Sequence, residues 1–307
     1  MQTILGAGGA IATELAKSLV QFDREIRLVS RHPKKVNEGD MLFTADLVDS
    51  QSVNNAVKGS DVVYLTAGLP YNTKTWQEQW PVIARNVIDA CVAHGCRLVF
   101  FDNVYLYDVN SLSPMLETNL VNPPSRKGKV RAEVIEMIWK DTRQQGLRAL
   151  VARSADFYGR ALDKVSVLTG TVVKPLTDKK TANWLVDATK KHSFTFTPDA
   201  GKATALLGVN DDAYGDTWHL PTASDPMTGR EWVEAIAGEL GVAPKFRTIG
   251  KGMIRMMGLF VPAMKESYEM LYQFEKEYVF NSDKFEKRFG VRPTPYKDGI
   301  AQMLGRS

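Results

Sequence analysis

The sequence is poor in the residues that cross-link small secreted domains or hold structural metals. It has two cysteines and four histidines in 307 residues. Cys91 falls on the apolar face of a predicted helix and Cys96 directly precedes a predicted strand. We therefore expect two buried thiols rather than a disulfide or a metal pair. The histidines are far apart in the chain and show no ligand spacing, so we predict no metal site.

The sequence also lacks a large excess of one charge and a long apolar run. Lys plus Arg exceeds Asp plus Glu by 39 to 35, with the basic residues scattered, which suits anionic small ligands better than nucleic acid. No uninterrupted apolar run approaches the ~18 residues of a membrane span, and glycines and Glu14 interrupt the N-terminal segment. We expect a cytoplasmic monomer or homodimer that acts on a small molecule, with no membrane or nucleic-acid partner.

The first half of the chain alternates apolar strands with helical periods. Predicted strands cover residues 2–5, 25–30, 41–45, 62–66, 98–101 and 149–152. Predicted helices cover residues 11–20, 52–57, 75–93 and 129–144, and Pro81 predicts a kink or a late start in the third. This rhythm is typical of an α/β fold, a Rossmann-type doubly wound parallel sheet.

The alternation stops at about residue 153. We predict an NAD(P)-binding domain over residues 1–153 and a smaller C-terminal α/β substrate-binding part over 154–307, interleaved with the first. In the second part, Asp199 is expected to be the N-cap of a helix over 200–207, and residues 218–221 form a short strand. Thr228 is expected to cap a helix that begins at Gly229 or Arg230.

A glycine-rich turn joins the first predicted strand to the first helix. Glycines at 6, 8 and 9 allow a sharp turn that brings backbone N–H groups against a diphosphate, and the helix that opens with Ala10 and Ile11 directs its positive end at the anion. An ordinary tight turn is the alternative. The context of strand, turn and helix favours a dinucleotide site formed by Gly6, Gly8, Gly9, Ala10 and Ile11.

The end of the second strand indicates which dinucleotide binds. A carboxylate at that place is typical of NAD enzymes, and an Arg favours the 2′-phosphate of NADP. Here the strand ends in Ser30 and Arg31, with Lys35 close behind. The nearby carboxylates, Asp23, Glu25 and Glu38, lie before the strand or well beyond its end. We predict NADP, with NAD as the alternative; a solvated cationic loop is the interpretation without a ligand.

Two further segments follow the third and fourth predicted strands. Asp46 and Leu47 are expected beside the adenine, and the run Thr66, Ala67 and Gly68 under the ribose and nicotinamide.

These motifs together resemble the extended short-chain dehydrogenase/reductase superfamily, in particular its NAD(P)-dependent epimerase/dehydratase branch. The resemblance covers nearly the whole chain and is carried by the segments 6–12, 45–47, 66–68, 102–105, Lys129 with Glu133, and 153–159. It implies the fold and the cofactor class. It is much less specific for the reaction.

The resemblance also implies a catalytic Tyr four residues before a Lys, where the Lys holds the ribose and activates the phenol. This chain departs from that pattern. Ser125 stands four residues before Lys129, and Pro123 stands four residues before Lys127. We expect Lys129 to reach the nicotinamide ribose, with Lys127 as the alternative.

The proton must then come from another group in an atypical active site. Asp102 and Tyr105 are favoured because they follow the fifth strand, whose carboxyl end faces the cofactor. Tyr107 and Tyr158 are further phenols near strand ends, and each candidate has an alternative as a packed aromatic or a turn residue.

The sequence therefore predicts an NADP(H)-binding oxidoreductase or epimerase/dehydratase acting on a nucleotide-sugar, ketone or aldehyde. The alternative is a catalytically silent, NADP(H)-sensing regulatory protein on the same fold.

Overall fold

A computed structural model describes residues 1–22, 25–160, 162 and 166–306. Asp23, noted above as preceding the second strand, lies outside this set. The chain forms two compact units, each assembled from several segments. The first contains Met1–Leu106, Lys127–Ser154 and Ala200–Leu220; the second contains Tyr107–Arg126, Ala155–Asp199 and Pro221–Ser307.

The strands in the described residues are, in chain order, β1 (Gln2–Leu5), β2 (Ile26–Ser30), β3 (Met41–Thr44), β4 (Val62–Leu65), β5 (Arg97–Asn103), β6 (Ala149–Ser154), β7 (Asp156–Tyr158), β8 (Ala182–Leu185), β9 (Phe194–Phe196), β10 (Thr217–His219) and β11 (Phe246–Ile249).

The helices are α1 (Ala10–Leu19), α2 (Ser50–Val57), α3 (Thr73–His94), α4 (Arg126–Gln144), α5 (Lys174–Thr177), α6 (Thr197–Val209), α7 (Gly229–Leu240), α8 (Lys251–Met257), α9 (Pro262–Ser267), α10 (Asp283–Phe289) and α11 (Tyr296–Met303). A π-helical turn over Thr169–Val173 and 3₁₀ turns over Asp211–Ala213 and Tyr268–Phe274 complete the set.

The first unit is a seven-stranded parallel sheet in the order β10-β6-β5-β4-β1-β2-β3. This confirms the predicted doubly wound Rossmann sheet. Strands β1 and β4 are buried along their whole length, as expected for parallel strands covered on both faces. The seventh strand, β10, comes from the second half of the chain and pairs with β6, a place that the sequence did not indicate.

Helix α1 shows how periodicity fixes the packing in this unit. Its buried residues Ile11, Leu15 and Leu19 recur every four positions on one face. Each fully buried aliphatic side chain contributes roughly 1.5–3 kcal/mol relative to exposure. The observed helix matches the prediction to within one residue at each end.

Helix α3 begins earlier than its sequence indicated. Of the two alternatives predicted at Pro81, a kink or a late start, the late start is wrong, because the helix begins at Thr73 and continues through the proline. The Asn72 side chain accepts a hydrogen bond from the Thr75 N–H and so caps the helix. A proline inside a helix costs about 3 kcal/mol. The burial of Trp76 and Trp80, which precede Pro81 in the helix, offsets that cost. Cys91 on the same helix, like Cys96, is a buried free thiol, as predicted.

The second unit contains two two-stranded parallel sheets, β8 with β11 and β7 with β9. Its main core is aromatic, with Tyr158 packed against Phe196, Trp232 and Tyr296 at ring separations of 5.1, 5.4 and 5.8 Å. Within the described residues, no helix is long and apolar enough to cross a membrane.

One predicted cap in the second half is confirmed and another is wrong. Thr228 and Glu231 form a full capping box at the start of α7, as the sequence indicated. Asp199 is not an N-cap, because α6 begins at Thr197 and places Asp199 in its first turn. The Asp199 carboxylate instead accepts hydrogen bonds from the N–H and the hydroxyl of Thr294, at 2.7 and 2.9 Å.

Candidate dinucleotide and active site

The glycine turn lies between β1 and α1, at the centre of the seven-stranded sheet. Gly6 has φ +98°, and a Cβ built there would lie 2.4 Å from the Ala67 Cα, so the turn and the end of β4 touch through backbone alone. Gly8 has φ +100° but faces open space, with nothing within 4 Å of a built Cβ. Gly6 is therefore required by packing, and Gly8 leaves room for a ligand.

Helix α1 presents its N-terminus at this turn without a side-chain cap. Its N-cap is Gly9, and its first turn, which starts with Ala10 and Ile11, contains no acidic residue. Uncapped N–H groups and the helix dipole together favour an anion.

The ends of β1 and β4 are joined directly. The Thr66 N–H and hydroxyl both donate to the Leu5 carbonyl, at 2.9 and 3.2 Å. The sheet order reverses here, since β1 has β4 on one side and β2 on the other. Ligands of doubly wound sheets bind at such a switch point, beyond the carboxyl ends of the strands. Ala67 is partly buried there, and Gly68 is exposed.

The ends of β2 and β3 carry the other predicted cofactor residues. Arg31 directly follows Ser30 at the end of β2, is exposed, and forms no ion pair with any residue that the structure describes. Lys35 is turned back to its own loop, where its ammonium donates to the Glu38 carbonyl at 2.7 Å. Of the two predicted cations, Arg31 is the one that is directed to no partner in the described part of the chain.

Asp46 follows β3 and is exposed. Its carboxylate accepts from the Val48 N–H at 3.2 Å, which leaves the second oxygen of that group for another donor. The neighbouring Leu47 carbonyl accepts from the Asn86 side chain at 3.0 Å, which ties this loop to α3.

The two candidate lysines lie on different faces of α4. Lys129 is exposed, whereas Lys127 is fully buried. The Lys127 ammonium donates to the Thr73 hydroxyl at 2.9 Å and lies 4.6 Å from the ring centre of Tyr71. Of the two candidates, Lys127, the alternative, is thus the lysine whose ammonium lies in the interior of this unit.

The Asp102 carboxylate is enclosed by two guanidinium groups. One oxygen accepts from Arg131 at 2.7 and 2.8 Å, and the other accepts from Arg153 at 3.0 Å. The Arg131 guanidinium also lies over the rings of Trp80 and Phe100. Both oxygens of this buried carboxylate are therefore engaged by cations. Asp102 has a structural role in this geometry, and its acid–base role stays a prediction.

The phenols differ in their surroundings. Tyr105, after β5, is partly exposed and stacks on Trp76 with ring centres 6.2 Å apart, so it keeps its place as a candidate. Tyr107 and Tyr158, both in the second unit, are 1% exposed. Burial raises the pKa of the Tyr158 phenol far above its usual range, and its hydroxyl has no hydrogen-bond partner among the described residues. Tyr158 is a core aromatic residue.

Sequence reasoning missed two residues of this region. Arg131 lies on the same stripe of α4 as Val130 and Val134, a spacing that indicates that it faces the interior. Tyr71 was also missed, although it is the first phenol after the segment that follows β4.

The residues present fit a nicotinamide dinucleotide. The helix N-terminus has no side-chain cap, and the glycine turn beside it is open, so together they can bind a diphosphate. Arg31, which has no ion pair in the described residues, can bind a further phosphate. Within the described ranges, no three His, Cys, Asp or Glu side chains lie together as a metal site.

Comparison with known proteins agrees with this geometry. Residues 6–136 match the model of a family described as NAD(P)H-binding. A 111-residue stretch is 32% identical to cinnamoyl-CoA reductase 1 of Petunia hybrida, and this match covers 32% of the chain and 33% of the relative. The chain thus spans about a third of the length of that curated relative.

Solved structures resemble the whole chain in fold. They include a UDP-glucose 4-epimerase of Thermus thermophilus in complex with NAD (TM-score 0.79, 17% identity, 100% of this chain and 98% of that chain). A dTDP-glucose 4,6-dehydratase of Streptomyces venezuelae gives a TM-score of 0.78 at 16% identity, over 100% and 96% of the two chains. A UDP-N-acetylglucosamine 4-epimerase of Bacillus cereus gives 0.78 at 14% identity, with the same coverage.

These likenesses confirm the predicted Rossmann-type fold, and residues 6–136 match the NAD(P)H-binding family model.

Proposed function

We propose that this chain, with the fold of the extended short-chain dehydrogenases/reductases, is an NADP(H)-dependent oxidoreductase or epimerase/dehydratase acting on a carbonyl or hydroxyl of a small molecule. The observation that carries the proposal is the open glycine turn at the sheet's switch point, where no side chain caps the first N–H groups of α1. The solved epimerases and dehydratase of the same fold support the reaction class.

The cofactor's parts are assigned to separate strand ends. Gly8, Gly9 and the first N–H groups of α1 hold the diphosphate, Asp46 faces the adenosine side, and Lys127 faces the nicotinamide ribose. Lys127 takes the role that the sequence assigned to Lys129, because only its ammonium is directed inward. A bound nicotinamide supplies or accepts a hydride, and the chain's own groups orient the substrate and handle the proton.

The preference for NADP(H) depends on Arg31. An exposed guanidinium without an ion pair in the described part of the chain, directly after β2, is suited to a 2′-phosphate. Charge-assisted hydrogen bonds to that phosphate contribute about 1–3 kcal/mol, or roughly 5- to 150-fold in affinity.

Fluorescence titration of the parent and Arg31→Ala with NADPH and NADH tests this preference. We expect the parent to bind NADPH more tightly, and Arg31→Ala to lose that advantage while keeping its NADH affinity. Lys58→Ala is the matched control, since Lys58 is an exposed cation at the amino end of the sheet, before β4. Equal affinities in the parent, or equal losses in both variants, would reject NADP(H) specificity.

A second candidate function is an NADP(H)-sensing regulatory protein without catalysis. The observation that favours it is the enclosed Asp102, together with Pro123 at the position of the family tyrosine. Such a protein binds NADPH but shows no turnover on a broad panel of nucleotide-sugars, ketones and aldehydes, whereas the enzyme oxidises NADPH with at least one of them.

A cytoplasmic location and a monomeric or homodimeric state stay predictions.

A further inference from the structure

We propose that Tyr71 is the phenol that exchanges the substrate's proton in this chain, supported by the buried ammonium of Lys127. The inference rests on the proposed function and names the group that replaces the tyrosine missing before the lysine.

The Lys127 ammonium lies against the Tyr71 ring. The ammonium is 4.6 Å from the ring centre and is held at 2.9 Å from the Thr73 hydroxyl, inside a fully buried environment. Because the charge of a phenolate is shared between its oxygen and its ring, a cation at this distance from the ring centre favours the form that has given up its proton. Because the ammonium is buried, solvent ions do little to screen that effect.

Tyr71 is accessible from solvent. Tyr71 is 38% exposed, so a small molecule can reach it, whereas Tyr107 and Tyr158 are buried. It follows the Thr66–Gly68 segment at the carboxyl end of β4, the strand next to β1 at the switch point. The chain therefore brings the phenol and the glycine turn to the same edge of one sheet.

The segment around Tyr71 is held in place by its neighbours. Trp76 meets the Tyr71 ring edge-on, with ring centres 5.9 Å apart, and its indole N–H donates to the Pro70 carbonyl at 3.1 Å. Asn72 accepts from the Thr75 N–H at 2.9 Å and fixes the next residue to the start of α3. The residues on both sides of Tyr71 are thus tied to the helix, which limits the positions open to its phenol.

In the reducing direction the bonds balance as follows. The O–H bond of Tyr71 breaks and its proton forms the O–H bond of the product alcohol, while the carbonyl carbon takes up a hydride from a reduced nicotinamide. The negative charge left on the Tyr71 oxygen is stabilised by the Lys127 ammonium until water returns a proton. In the oxidising direction the same phenolate removes the hydroxyl proton.

A chemical reactivity test needs no cofactor. Tetranitromethane nitrates phenolates, and peptide mass spectrometry of the free protein measures the rate at each tyrosine. Tyr268 is the internal control, because it is 37% exposed, nearly the same as Tyr71. We expect Tyr71 to react at least about fivefold faster than Tyr268, and the ratio to fall to within about twofold in Lys127→Met.

Equal nitration rates at the two tyrosines of the parent would overturn the proposal without any variant, so it stays falsifiable even where Lys127→Met does not fold. A fast Tyr71 rate that persists in folded Lys127→Met would overturn the role of the lysine.

Kinetics with NADPH and the carbonyl panel give the second readout. We expect Tyr71→Phe to bind NADPH as the parent does and to lose turnover at least about 100-fold, and Tyr268→Phe to retain it. Retained turnover in Tyr71→Phe, or a loss confined to Tyr105→Phe, would overturn the assignment. A parent that binds NADPH and turns over no substrate would overturn it in favour of the regulator. Failure of the proposed function itself appears separately, as absence of NADPH binding in the parent.

Discussion

The two units bury polar groups in different ways. The first buries full charges and pairs them: Asp102 on β5 is held between Arg131 on α4 and Arg153 on β6. The second buries neutral rings that carry a polar atom, as with Tyr158 in its aromatic core. Paired charges are costly to break but fix positions closely, whereas an unpaired hydroxyl on a packed phenol costs less than an unpaired charge. The unit that holds the candidate dinucleotide site is the one that contains these buried ion pairs.

Asp102→Asn is the most severe way to break this comparison. The change leaves two buried guanidinium groups without their carboxylate, so we expect the free energy of unfolding to fall by about 3–5 kcal/mol. Urea denaturation measures it. Asp211→Asn is the control: Asp211 pairs with Arg97 and Arg148, but its side chain is 67% exposed, and we expect less than about 1 kcal/mol.

Unchanged stability in Asp102→Asn, together with lost turnover, would contradict the structural role and restore Asp102 as an acid–base candidate.

A pair of phenol deletions sharpens the picture of the second unit. Tyr158→Phe removes a buried hydroxyl that has no partner in the described residues, and we expect a gain of about 1 kcal/mol. Tyr278→Phe removes a hydroxyl that accepts from the Asp156 N–H at 3.3 Å, and we expect a loss of about 1 kcal/mol. Both tyrosines are at most 1% exposed, so urea denaturation of the two variants compares like with like. Effects of the same sign would mean that the hydroxyl's bonding does not decide its contribution.

A further effect of about 1 kcal/mol concerns the capping box of α7. Thr228→Ala removes the side chain that accepts from the Glu231 N–H, and we expect a loss of about 1 kcal/mol. Ser267→Ala is the control, since its hydroxyl bonds a carbonyl four residues earlier, in the last turn of α9, and we expect less than about 0.5 kcal/mol.

The capping box also gives a pH dependence. Hydrogen bonds from the backbone and side chain of Thr228 hold the pKa of Glu231 below its usual value. The stabilisation by this carboxylate is therefore fully present above the ordinary glutamate pKa and is lost as the pH falls through the lowered one. Thermal unfolding of the parent and Glu231→Gln should differ at neutral pH and converge in acid. A difference that does not change with pH would contradict this interpretation.

Several features could be predicted from the sequence because they depend on local rules. The alternation of apolar strands and helical periods predicted six of the strands of the parallel sheet, and the three-residue spacing of Thr228 and Glu231 predicted the cap of α7. The glycine turn was recognisable because its neighbours alone define it. The membership of β10 in the same sheet was not, since nothing in three residues specifies a partner strand as distant in the chain as β6.

In the candidate site too, some features follow from the sequence and others only from the tertiary structure. The sequence by itself determined the parallel sheet, the glycine turn between β1 and α1, and the absence of a tyrosine four residues before either lysine, since spacing along the chain fixes each of them. Only the tertiary structure decided that Lys127 is buried and Lys129 exposed, that Asp102 is held by two arginines, and that Tyr71 lies beside an ammonium. These contacts join residues that are far apart in the chain, and which side chains meet at such separations depends on how α4 and β6 pack against the rest of their unit.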